Sequence, residues 1–280
     1  MKIHYLGSGS AEGFPGVFCG CEACDRARER KGKNIKTRSC ALLNDKILLD
    51  ISPDIYYQSL RDNILLTSIS SIVVTHTHWD HLDSFSLALR AREGASRIPP
   101  AGKEQLSLYG GASVKNTLDQ IWVNQPYANP NRILYHPIKA NNPFCIDNIW
   151  FYPLEANHKR DEDCFIYAIN DKDEWLLYAN DTGALSEATM NYIRSLNIQF
   201  DVVSMDCSRG TLPGDSHMGL EENRLLKQNL KAYGCVHDRT QYLLNHFSHV
   251  CGLTHDELHT LVCNDGFQVT YDGMIIEWKR

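Results

Sequence analysis

Short apolar runs, many of them β-branched, alternate with turn residues along the chain, and stretches of helical spacing fall between them. Residues 3–6 are the first such run and lead into the glycine loop Gly7-Ser-Gly-Ser-Ala. Residues 41–50 predict a hairpin turning at Asn44-Asp45, because Asn and Asp tolerate the backbone of a tight turn. Ile72-Val73-Val74 predicts a buried strand ending at Thr75. A second hairpin covers 145–154 with its turn at Asp147-Asn148, and residues 165–169 and 175–179 pair around the polar stretch 170–174. Residues 202–203 and 242–244 are further strands, and 267–278 reads as a closing hairpin turning at Asp272-Gly273. Helical spacing covers 21–31, 81–93, 112–122, 187–196, 220–232 and 254–264. Strands arrive in hairpins with helices inserted between groups. That excludes a doubly wound parallel sheet and predicts two mixed sheets with helices on their outer faces. The stretch 94–137, with Pro99-Pro100, Gly110-Gly111 and Asn129-Pro130, predicts loops that wall a pocket. With no repeat, low-complexity tract or flexible linker, the expectation is a single domain over 1–280.

Composition narrows the class. The 280 residues are 43% hydrophobic and 22% charged, which suits a packed globular core and excludes a disordered or collagenous chain. The net charge of −6 argues against a protein that coats nucleic acid through its phosphates. No apolar run of about 18 residues is present, and the first residues lack a secretory leader, so the expectation is a cytoplasmic protein without a membrane span. Ten cysteines are unevenly placed: three lie in Cys19-Gly-Cys21-Glu-Ala-Cys24 and seven are scattered. A disulfide framework would spread them evenly, so the cluster reads as a metal site and the rest as small buried apolar residues. Residues 25–38 carry a local balance of +5 against −11 for the remainder. Such a run is by default a solvated helix face, the alternative being a device that steers phosphate-bearing substrates.

The densest chemistry is Thr75-His76-Thr77-His78-Trp79-Asp80-His81, directly after a buried strand. Neutral imidazoles and a carboxylate suit zinc, manganese or iron. Four donors this close cannot easily all reach one ion, but they can be divided between two. Asp80 stands where the next helix begins, and the helix dipole favours its charged form.

His-x-His-x-Asp-His after an apolar strand resembles the signature of the metallo-β-lactamase superfamily. The resemblance implies a four-layer αβ/βα sandwich of two mixed β-sheets, a binuclear metal site at one edge, and a further ligand in each of three later loops. Asn157-His158, Asn180-Asp181-Thr-Gly and Asn245-His246 each follow a strand and supply the candidates. By the resemblance, His76, His78 and His158 hold one divalent ion, Asp80, His81 and His246 hold the second, and Asp181 bridges them. Asp50 matches the family's buried aspartate and would orient a ligand imidazole; a helix cap before Ile51-Ser-Pro-Asp is the competing reading.

The cysteine cluster, an insertion around 19–38, is similar to that of the carbon–phosphorus lyase accessory phosphodiesterases, which hydrolyse cyclic ribose phosphodiesters during phosphonate breakdown. A closed structural zinc takes four ligands, and with Cys19, Cys21 and Cys24 the resemblance implies His249 of His246-Phe-Ser-His249 as the fourth. His217, in Gly214-Asp-Ser-His-Met, matches a further active-site histidine that would give a proton to the leaving alkoxide or hold a phosphate oxygen; a solvent-exposed loop histidine is the alternative. Two stretches are longer than in that family: 94–137, and 159–165 with Asp161, Glu162, Asp163 and Cys164, which is expected to point away from an anionic substrate or to mark a different one.

The implied protein is a metal-dependent phosphodiesterase acting on small or cyclic phosphodiesters, with Asp80, Asp181 and His217 in the catalytic set. Its expected cofactors are two divalent ions (Zn, Mn or Fe) and one structural zinc. Its expected partner is a small diester rather than nucleic acid or membrane, and the family resemblance suggests a homodimer. Leu6-Gly-Ser-Gly-Ser-Ala also resembles transfer-RNA 3′-processing ribonucleases, although those need a basic, glycine-rich arm that this sequence lacks. A quinone-cofactor biosynthesis protein shares the cysteine cluster. A non-catalytic, zinc-stabilised binding protein is the other alternative, and it would hold one metal per chain rather than three.

Overall fold

Runs that are apolar throughout become interior strands, since both of their faces must be covered. β1 (Lys2–Gly7), β2 (Cys40–Leu43), β3 (Ile47–Leu49) and β4 (Ser71–Val73) are almost entirely buried. The computed structural model describes residues 1–100 and 102–279. These four strands join β5 (Leu106–Gly110), β6 (Ile133–Pro137) and, at the far edge, β14 (Met274–Glu277) in a sheet ordered β14-β1-β2-β3-β4-β5-β6. The second sheet is ordered β13-β12-β11-β10-β9-β8-β7. Its strands are β7 (Phe144–Ile146), β8 (Ile149–Glu155), β9 (Phe165–Asp171), β10 (Glu174–Ala179), β11 (Phe200–Asp206), β12 (Val236–Asn245) and β13 (Phe267–Val269). In the first sheet β14-β1-β2-β3 pair antiparallel and β3-β4-β5-β6 parallel; in the second β7-β8-β9-β10 pair antiparallel and β10-β11-β12-β13 parallel.

The inner faces meet in one core, where Leu49 and Val73 of the first sheet join Tyr167, Tyr178, Val202 and Leu243 of the second. Helices α2 (Ile55–Arg61), α3 (Ser84–Ala91) and α4 (Ala112–Asn124) cover the outside of the first sheet through Ile55, Leu87 and Leu118. Helices α5 (Glu187–Ser195), α6 (Leu220–Ala232) and α7 (His255–Val262) cover the second through Ile193, Leu226 and Leu258. The result is the four-layer helix–sheet–sheet–helix sandwich. Helix α1 (Glu22–Arg30) stands apart on a small cluster of Phe14, Ala23, Cys24 and Ala27.

Three expectations need correction. The stretch 94–137 holds more than loops: around the expected helix α4 it forms β5 and β6, and the alternation Leu106-Ser-Leu108-Tyr-Gly110 buries Leu106 and Leu108, while loop residues such as Lys103 and Asn131 line only a hollow away from the strand ends described below. The helix expected over 81–93 begins at Ser84, because the Asp83 carboxylate accepts the Phe85 and Ser86 N–H groups and so leaves His81 in the preceding loop. The closing hairpin does not exist. β13 pairs with β12 in one sheet and β14 pairs with β1 in the other. The intervening turn is held between the sheets: Asp272 accepts from Ser8 N, Ser8 Oγ, Thr37 N and Thr37 Oγ1, and Thr270 Oγ1 donates to Asn245 Oδ1 at 2.6 Å. Helix α2 had no counterpart in the sequence reading.

The basic stretch 25–38 is partly paired with carboxylates of the same chain. Arg26 and Arg30 pair with Glu257 at 3.0 Å, Arg28 with Asp25 at 2.9 Å and Arg38 with Asp54 at 2.9 Å. Lys36 is buried, with Nζ 2.9 Å from the Thr270 carbonyl.

Candidate metal centre

Parallel strands end on the same edge of a sheet, so residues just past their ends converge. Asp50 follows β3, the 75–81 motif follows β4, His158 follows β8, Asp181 follows β10, Asp206 closes β11 and His246 follows β12. Asp50, Asp181 and His246 take left-handed backbone angles, with φ of 64°, 56° and 58°. A non-glycine residue there costs of order 1 kcal/mol and persists only where its surroundings dictate it. Asp50 shows how: its carboxylate accepts from Thr75 N at 2.7 Å and from Thr75 Oγ1, and lies 2.7 Å from His81 Nδ1.

Among the described residues, donor atoms of His76, His78, His158 and Asp181 lie within 4.8 Å of one another, and so do those of Asp80, His81 and His246. Asp181 stands between the sets, its Oδ2 3.2 Å from His76 Nε2, 3.0 Å from His81 Nε2 and 3.7 Å from His246 Nε2. His158 Nε2 is 3.1 Å from His78 Nδ1, and His246 Nε2 is 3.3 Å from His81 Nε2. Asp80 Oδ1 is buried with no hydrogen bond, and His76 Nε2 and Asp181 Oδ1 meet only other imidazoles and carboxylates of the cluster. Buried imidazole nitrogens and carboxylate oxygens crowded together with so few hydrogen bonds are costly unless a cation completes them. The arrangement fits two divalent ions.

The cage separates its protonation states. Burial opposes the charge on His81, but Asp80 and Asp50 outweigh it and hold the imidazole well above its ordinary range. Burial likewise opposes ionisation of Asp80 and Asp181, yet the neighbouring imidazoles keep both carboxylates below theirs. Burial pushes His158 down to about 4.

A pocket of about 290 Å³ opens over the cage and is lined by His78, Asp80, His158, Asp181, Arg209 and His217, among others. Among the described residues, none of 94–137 and none of Asp161, Glu162 and Asp163 lines it. Glu162 instead turns to Thr77 Oγ1 and to Lys159, the latter at 3.2 Å. His217 is no stray loop residue: its Nδ1 lies 3.0 Å from Asp181 Oδ1 and 3.0 Å from Asp206 Oδ2. Burial resists its charge, but those two carboxylates raise it to about 10.

Asp206 and Ser208 fall in Met205-Asp-Cys-Ser, a stretch that shares the family resemblance but to which the sequence reading gave no role. Asp206 Oδ2 is 3.2 Å from His246 Nδ1, and Ser208 Oγ is 2.9 Å from the same nitrogen. The missed signal was position, since Asp206 ends an apolar strand as Asp50 follows one.

The second cluster lies apart from the cage. Donor atoms of Cys19, Cys21, Cys24 and His249 lie within 4.8 Å of one another. His249 Nδ1 is 3.4 Å from Cys19 Sγ and 3.6 Å from Cys21 Sγ. A tetrahedral zinc site has S···N edges of about 3.5 Å, so this set also fits an ion. A hydrogen bond from the Cys24 N–H pulls the Cys21 thiol down to about 6, while burial pushes Cys24 up to about 12. Glu12 approaches His249 Nε2 at 3.5 Å.

A family model described as "Beta-lactamase superfamily domain" matches residues 45–247. Among curated proteins, the chain is 31% identical over 166 residues to an octanoyltransferase of Porphyromonas gingivalis, covering 57% of this chain and 31% of that protein. It is 26% identical over 116 residues to ribonuclease Z of Lactobacillus acidophilus, covering 41% and 31%. The chain thus spans about a third of the length of the curated relatives it matches. Among solved structures, a diphosphatase of the PhnP family superposes with a TM-score of 0.74 at 21% identity, over 99% of this chain and 98% of that one, a likeness of fold.

Proposed function

The chain belongs to the β-lactamase superfamily, and from that premise we propose that it is a metal-dependent phosphodiesterase acting on small or cyclic phosphodiesters. The observation that carries the reading is the position of Asp181 between two sets of buried donors. His76, His78 and His158 would hold one divalent ion and Asp80, His81 and His246 the other, with Asp181 shared. Bound there, two such ions supply Lewis-acid polarisation of a phosphoryl oxygen and a water acidified towards neutrality. Asp50 fixes the tautomer of His81 from behind, and Asp206 and Ser208 do the same for His246. His217 presents Nδ1 to Asp181 and Asp206, which leaves Nε2 to give a proton to the departing oxygen. Arg209 lines the same pocket and suits the non-bridging oxygens. Cys19, Cys21, Cys24 and His249 would hold a structural zinc.

Two of the similar proteins carry the names diphosphatase and ribonuclease Z, which favours phosphoryl chemistry over other hydrolyses. The modest pocket favours a small diester over RNA. The test is metal analysis of purified protein followed by assay on a bis-aryl phosphate, a cyclic nucleotide, a cyclic ribose phosphate and a precursor transfer RNA. Three metals per chain with cleavage of the small diesters alone is the expected result. Cleavage of RNA alone favours the ribonuclease, and one metal without turnover favours the binding protein.

A further inference from the structure

The acidic stretch 159–165 has no part in the scheme above. Asp161 and Asp163 are exposed, but Glu162 between them turns inward, with its side chain 3% exposed. Its Oε2 accepts from Thr77 Oγ1, and its Oε1 lies 3.2 Å from Lys159 Nζ. Thr77 stands between His76 and His78, and Lys159 directly follows His158. One buried carboxylate thus reaches the immediate chain neighbours of all three imidazoles assigned to one ion.

Those imidazoles arrive from two sheets. His76 and His78 follow β4 in the first, and His158 follows β8 in the second. No strand ladder joins β4 to β8, so backbone pairing does not set the distance between the two loops. Side chains and loop amides bridge them instead. Phe165 N donates to the Thr75 carbonyl at 2.9 Å, Tyr167 Oη donates to the Val74 carbonyl at 2.5 Å, and Thr77 donates to Glu162. The first two bridges end before His76, and the third falls between two ligands. The loop carrying Glu162 is itself closed, since Ala156 N donates to the Cys164 carbonyl at 2.9 Å. Thr75 Oγ1 lies 3.0 Å from His76 Nδ1, as Asp50 stands behind His81 and Asp206 behind His246. Among the described residues, no carboxylate or hydroxyl holds the His78 ring in that way, so its position rests on the backbone at Thr77. Burying a carboxylate is costly, and an apolar side chain would fill the space at Glu162 more cheaply if filling were all that was required.

We infer that Glu162 is a positioning residue for the ion held by His76, His78 and His158. Through Thr77 on one side and Lys159 on the other it fixes the separation of the two ligand loops, and with it the geometry of that half of the cage. The half formed by Asp80, His81 and His246 has its own braces in Asp50, Asp206 and Ser208 and does not depend on it. This assignment rests on the binuclear reading proposed above and deepens it.

Metal release tests it without turnover. The zinc-loaded protein is mixed with a chromogenic chelator and release is followed in time, with His158→Ala marking the phase that belongs to this ion. Glu162→Ala is expected to speed that phase by about 10–100-fold and to leave release from the other half of the cage and from the cysteine cluster unchanged. Thr77→Val, close in shape but without the hydroxyl, should do the same, and the double variant should be no worse than either single one, because both remove one interaction. Glu162→Gln keeps an acceptor for Thr77 and should recover most of the loss. Faster release from both halves of the cage, or release unchanged in Glu162→Ala and Thr77→Val, overturns the assignment; if Glu162→Ala does not fold, Thr77→Val decides alone. A protein that shows the selective effect but cleaves no diester loses only the phosphodiesterase reading. One that cleaves diesters while its zinc release is indifferent to Glu162 and Thr77 loses only the positioning role.

Discussion

The histidine–carboxylate cage and the cysteine cluster each gather donors suited to a metal, yet they are supported differently. The cage stands at the ends of six strands from two packed sheets, and carboxylates on neighbouring strand ends brace its imidazoles. The cysteine cluster stands on a turn and one nine-residue helix, over a core of four side chains. The cage geometry is therefore set by the fold whether or not ions are bound. The cluster has little else to hold it, and an ion there would itself supply the folding energy of its segment. One loop feeds both, since His246 and His249 are separated by only Phe247 and Ser248.

The largest expected effect tests the cage. Asp181→Ala removes the carboxylate shared by both donor sets, so kcat should fall by well over the 10–100-fold typical of losing an outer partner. Circular dichroism and the thermal midpoint should change little, because the sheets hold the edge in place. A collapse of the fold would show that the cage is structural after all. The next effect tests the cluster. Cys24→Ser should lower bound zinc by one per chain and speed amide hydrogen exchange across residues 11–38, while exchange in β10 and β11 stays slow. Uniform loosening of both regions would erase the contrast.

The smallest effect concerns the contact between them. Lys36 is buried against the Phe247 ring, 4.1 Å from its centre, and burial lowers its pKa from 10.5 to about 8. The folded state therefore releases this proton before the unfolded state does. Stability relative to Lys36→Met should rise with pH from about 8 to 10.5 and be flat below that window. Denaturant titrations of both proteins across that range check it, and a difference independent of pH would show that Lys36 does not titrate as a buried amine.

Much of the site was legible because its densest parts are local. In 75–81 and in 19–24 the spacing alone places several donors within reach of one another. His158, Asp181 and His246 were legible as residues just past strands, but only the resemblance ordered them. Asp206 was given no role, because an aspartate closing an apolar run looks the same whether it caps a turn or braces two histidines. The closing hairpin was misread for a related reason. Two short apolar runs around Asp272-Gly273 give one local pattern whether they pair with each other or with strands in different sheets.

By itself, then, the chain of residues determined most of the segments that become strands, β5 and β6 excepted, since burial of apolar runs needs no knowledge of the partner. It also determined the two local donor clusters, whose geometry follows from backbone spacing. Only the tertiary structure decided which strand ends share an edge and which carboxylate stands behind which imidazole. Those relations join residues far apart in the chain, and hydrogen bonding and close packing fix them only once both sheets have formed.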